Sequence, residues 1–110
     1  MTRESRANGP ADVDAWKAKL APIDERAFEL AIERWRTGSP LEPAMRAEAE
    51  RAQQELRELA RELRTSHPGV YDRLSDTISE ALLDLKYALT APQAVSLRLN
   101  QYMDTNPRNG

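Results

Sequence analysis

Apolar residues recur at helical spacing along most of this chain and nowhere alternate with the period of two that marks a half-buried strand. Val13, Trp16 and Leu20 share one face of a short helix predicted from about Asp12 to Leu20, with Asp12 as its cap. Pro22 lacks a backbone donor and clashes with the preceding turn, so the helix is expected to stop and restart at Ile23. The second helix runs to about Arg36. Phe28, Ala31, Ile32 and Trp35 form its stripe, widened by Ile23, Ala27 and Leu30, and Asp24 and Glu25 suit the positive end of its dipole.

Gly38 fits a left-handed helix end, and Ser39-Pro40-Leu41-Glu42 reads as a capping box with proline at the first helical position. The helix opened there should reach about Arg64, roughly 39 Å at about 1.5 Å per residue. Met45, Ala49, Ala52, Leu56, Leu59 and Leu63 follow heptad spacing along it. The small side chains in the first half of this seam admit a closely packed neighbour, so Met45, Ala49 and Ala52 are the candidate interface of a homodimer. Thr65-Ser66-His67-Pro68-Gly69 ends the helix. From about Val70 to Leu89, Tyr71, Leu74, Ile78, Ala81, Leu82, Leu85 and Leu89 lie on one side of the next helix. The short connection predicts an antiparallel hairpin, with Leu59 and Leu82 buried inside it. Thr90-Ala91-Pro92-Gln93 repeats the capping-box pattern and opens a last helix to about Met103, with Val95, Leu99, Tyr102 and Met103 facing inward. The expected fold is therefore all-α: a bundle of four main helices, a short extra N-terminal helix and an antiparallel central hairpin. One domain, 11–105, is expected between disordered tails at 1–10 and 106–110.

Composition narrows the chemistry. The length of 110 residues fits one domain, and 40% hydrophobic with 31% charged residues is a globular balance. The chain has no cysteine, which excludes disulfides and thiolate sites and fits a reducing cytoplasm. No apolar run reaches the roughly 18 residues of a membrane span, and no apolar segment follows the charged start as a secretory signal requires. Arg outnumbers Lys 13 to 3 and Ala is abundant, which suggests a GC-rich bacterial or phage gene. Net charge is −2 and Arg alternates with Glu, a pattern read as self-neutralising helix surfaces rather than the one-sided basic face of a DNA binder.

The candidate reactive groups have ordinary explanations. His67 is the only histidine, stands before Pro68 at a helix junction, and has no cysteine or motif serine to serve. Glu25, Glu29 and Glu33 share a helix face, but di-iron bundles need Glu-x-x-His on two helices. Trp16 and Trp35 sit at helical spacing among apolar neighbours and read as core residues. No metal or cofactor is expected.

Two local resemblances add alternatives. Trp16-Lys17-Ala18-Lys19-Leu20, Ile23-Asp24-Glu25-Arg26 and Glu33-Arg34 together resemble the first helix of the all-α chorismate mutases. That resemblance implies a small helical enzyme in which Lys17 and Arg34, with Arg51, contact a dicarboxylate substrate. The chain departs from the family at Pro22, at Gly38-Ser39-Pro40, and at Ala52, where an acidic side chain is usual. Leu89 to Leu99 looks like the turn and recognition helix of some helix-turn-helix proteins, which implies DNA contacts from Gln93, Ser96 and Arg98. The reading the sequence favours is a non-catalytic protein-protein interaction module: a small adaptor, inhibitor, antitoxin-like or phage-type accessory protein.

Overall fold

The computed structural model describes residues 10–106, which form four α-helices and no strand: α1 Pro10–Thr37, α2 Pro43–Ser66, α3 Pro68–Thr90 and α4 Leu97–Thr105. The expected tails fall outside the described residues apart from Pro10, which begins α1, and Asn106, which caps α4.

The helices predicted over 12–20 and 23–36 are one continuous helix with Pro22 inside it. Pro22 is exposed, so its ring meets solvent rather than a neighbouring helix. The lost hydrogen bond costs about 3 kcal/mol relative to alanine. Leu20, Ala27, Leu30 and Ala31 are fully buried on either side of it, so packing on both sides of Pro22 offsets that cost.

α2 starts at Pro43, not at the predicted Ser39 box. Glu42 is its extended N-cap, with φ −60° and ψ 154°, and its side chain makes no capping bond. Residues that precede proline are disfavoured in the helical region, which suits Glu42 as an extended cap with Pro43 as the first helical residue. Gly38, at φ 66°, donates to the Arg34 carbonyl at 3.0 Å and ends α1. Leu41 turns into the core from the connecting segment.

α2 and α3 meet at His67, whose amide donates to the Leu63 carbonyl. The ring of His67 tilts against Trp16 at 5.5 Å, and Arg34 donates to the carbonyls of Ala88 and Leu89 at 3.2 and 3.4 Å. The start of α1 thus lies beside the start of α3, and their ends also meet. α1 and α3 run parallel in the most extensive helix contact, and α2 runs antiparallel to both, packed chiefly on α3. The core joins Leu20, Ala27 and Leu30 of α1, Ala49, Ala52, Leu56, Ala60 and Leu63 of α2, and Val70, Leu74, Ile78, Ala81, Leu85 and Ala88 of α3. On α2, Ala60 takes the core position predicted for Leu59. Leu59 and Leu82 are half-buried, because the axis presents 49-52-56-60-63 to the core rather than a strict heptad.

The second predicted box, at Thr90, is also unused. Thr90 ends α3, and Ala91 caps it in the left-handed region at φ 46°. Residues 91–96 return to the level of Asp84, where Ser96 caps the nine-residue α4.

Candidate binding groove

The three sets of candidate residues fall in very different places. Ala49 and Ala52 are 0% and 7% exposed within the single chain, and Met45 packs partly against the same core. The chain's own helices already occupy the seam read as a homodimer interface. Lys17 is exposed, and Arg34 lies 17 residues further along the same helix, about 26 Å away at 1.5 Å per residue. Arg34 instead caps the carbonyl end of α3, and exposed Arg51 lines a shallow hollow with Arg26, Glu48 and Glu55. One ligand-sized site cannot include Lys17 and Arg34.

Gln93 is exposed on the loop, but Ser96 and Arg98 point inward. The Ser96 hydroxyl donates to Asp84 Oδ1 at 2.5 Å and accepts from the Leu99 amide at 3.1 Å. Arg98 bonds Asp84 Oδ2 at 2.8 Å through Nε and Asp24 Oδ1 at 2.7 Å through a terminal nitrogen. Glu80 approaches the same guanidinium at 3.7 Å, and Phe28 lies beneath it at 4.8 Å. Burial raises Asp84 above the usual carboxylate range, against the opposing pull of Ser96 and Arg98. This cluster staples α4 to α1 and α3, so it leaves neither Ser96 nor Arg98 free to read a base edge. Tyr102 completes the staple edge-on to Phe28 and Trp35, both at 5.9 Å. Trp35 and Trp16 are half-buried at the margins of the core rather than inside it.

The remaining charge is organised by α2. Arg57, Arg61 and Arg64, spaced by four and three, lie along the flank nearest α3. Glu55, Glu58 and Glu62 lie along the opposite flank, beside Trp16 and Lys19 of α1. Over residues 55–64 the alternating charge in the sequence therefore becomes two faces of opposite sign. Arg46–Glu50 at 3.5 Å is the ion pair recorded within α2, and Arg26 links α1 to α2 through Glu48 at 2.6 and 2.8 Å. That contact holds the Glu48 carboxyl below its usual range, chiefly through the hydrogen bond from Arg26.

Between the basic flank and α3 runs an open groove of two adjoining hollows, 400 and 310 Å³, which share Arg57, Ser79 and Leu82. Its floor is Ala60, Tyr71, Ile78, Leu82 and Leu83, and Leu83 is 36% exposed. Arg57, Arg61, Arg64 and Lys86 rim it, and no carboxylate lines it. Arg57, Arg61 and Lys86 have no ion-pair partner among the described residues, while Arg64 lies over the Tyr71 ring at 5.7 Å. Comparison with family models, curated proteins and solved structures found no match.

The groove has hydroxyls at Ser79 and Tyr71 but no imidazole or carboxylate to take a proton from them. Its lining combines apolar surface with a border of fixed positive charge. Among the described residues no group of three or more His, Asp or Glu could hold a metal, and no helix is long and apolar enough to cross a membrane. The sequence signal for the groove is the 57-61-64 arginine stripe, one flank away from the core positions.

Proposed function

We propose that the protein is a non-catalytic protein-protein interaction module, and that it docks an acidic segment of another protein in the groove between α2 and α3. One observation carries this reading. Leu82 and Leu83 form an apolar floor open to water, bordered by Arg57, Arg61 and Lys86, which lack counter-ions among the described residues. A surface shaped for stability alone would pair those cations or cover those leucines; a docking surface leaves both for the partner. The cysteine-free composition suits a reducing compartment, so we place this interaction in the cytoplasm. Self-association through Met45, Ala49 and Ala52 is not part of the proposal, because the chain itself covers the two alanines.

Affinity capture from cells tests the proposal, with wild type compared against Leu82→Ser/Leu83→Ser. Both leucines are outside the fully buried core, so the variant should fold. A partner retained by wild type and lost by the variant supports the reading. Identical captured proteins for both would refute it.

A further inference from the structure

We infer that the occupant of the groove is an acidic amphipathic α-helix of three to four turns, lying along α2 and α3 as a fourth rod of the bundle; this rests on the interaction reading above. Two packed helices leave a groove on each side. α1 fills one of those between α2 and α3, and the other is lined by residues of α2 and α3 alone. Its lining extends from Gln53 to Arg64 on α2 and from Tyr71 to Lys86 on α3, about 17 and 23 Å at 1.5 Å per residue. That length accommodates roughly 11–15 helical residues. A helix binds such a groove through apolar side chains at i, i+3, i+4 and i+7, which here would meet Ile78, Leu82 and Leu83.

Charge selects among helices. The lining carries four cations and no carboxylate, and three of the four stand on α2 at 57-61-64. The complementary helix carries Glu or Asp at matching four-and-three spacing on the flank that faces α2. The flank facing α3 meets Lys86 and the hydroxyls of Ser79 and Tyr71, so it is less charged. Duplex DNA fits the groove less well: phosphates have no use for a leucine floor, and the opposite flank of α2 bears Glu55, Glu58 and Glu62.

The test uses a fluorescein-labelled synthetic peptide of four helical turns, with leucines on one face and glutamates beside them, titrated with the full chain. Fluorescence anisotropy should show saturable binding with a Kd below about 100 µM at low salt. Replacing the glutamates by lysine, or the leucines by serine, should weaken it about tenfold or more. Arg57→Glu/Arg61→Glu, at two exposed positions, should do the same while circular dichroism stays unchanged. Absence of saturation, equal binding of the lysine peptide, or no effect of the double variant overturns the inference. Tighter binding to phosphatidylserine vesicles at the same residues overturns it in favour of a lipid surface. A sedimentation mass above 12.4 kDa that the double variant abolishes overturns it in favour of a second copy. A captured partner that needs Leu82 and Leu83 but has no acidic helix overturns this inference alone and leaves the interaction reading standing.

Discussion

Arg98→Met isolates the staple that holds α4. Methionine keeps much of the apolar stem and its packing on Phe28 but removes the charge and its hydrogen bonds. Asp84 is 0% exposed and then keeps only the Ser96 hydroxyl. Breaking a buried ion pair from one side costs about 3–5 kcal/mol, and because Arg98 is itself 25% exposed the lower end applies, about 3 kcal/mol. For a domain of this size that is a fall in Tm of roughly 12 °C or more. Asp24 and Glu80, the other carboxylates facing Arg98, remain partly hydrated, so Asp84 dominates the loss. Asp84 already lies above its ordinary range through burial, and loss of Arg98 removes an influence that lowers it. The folded variant therefore binds this proton more tightly than the unfolded chain, so Asp84 destabilises less as pH falls. Urea denaturation at pH 7 and pH 5 should show the deficit shrinking at pH 5. Asp84→Asn/Arg98→Met should recover much of it, since an amide oxygen still accepts from Ser96 without a buried charge. A loss below about 1 kcal/mol at pH 7, or an equal deficit at both pH values, would show that the cluster does not hold α4 as described.

Four further outcomes are expected. Leu56→Ala and Leu85→Ala, both fully buried, should each cost about 2–5 kcal/mol in urea denaturation, whereas half-buried Leu82→Ala should cost less than about 1.5 kcal/mol; the reverse order would overturn the core assignment. Pro22→Ala should stabilise the chain by about 1–3 kcal/mol by restoring a helical donor, and a lower Tm would contradict the continuous α1. Glu48 is held below its usual range, so its contribution is present above the unfolded carboxylate value and is lost as pH falls through its folded value; Glu48→Gln should flatten that part of the acid limb of the stability curve. Ala52→Glu should destabilise the folded chain itself rather than release a monomer from a dimer, and a stably folded variant would contradict the burial of Ala52.

The helical class, the α2–α3 hairpin and most of the buried positions were legible in the sequence because helical periodicity is a local property of side-chain order. Leu56, Leu63, Leu74, Ile78, Leu85 and Leu99 lie where that periodicity put them. Helix starts were less legible. The serine and threonine boxes at 39 and 90 look like caps, and Pro43 already carried a signal that favours an extended Glu42. Tertiary packing decided the rest. Pro22 stays inside a helix because the buried residues on both sides of it favour one straight axis along α3. The seam at Ala49 and Ala52 closes on the chain's own helices, which no periodicity can distinguish from closing on a second copy. Ser96 and Arg98, DNA contacts in the helix-turn-helix resemblance, turn inward because Asp24, Glu80 and Asp84 meet them on α1 and α3. The arginines and glutamates of α2 alternate along the chain, but once α1 and α3 fix which stripe is buried, those from 55 to 64 fall on opposite flanks by sign. Periodicity determines which face of a helix is apolar; the neighbours that cover that face determine where the remaining charge is presented.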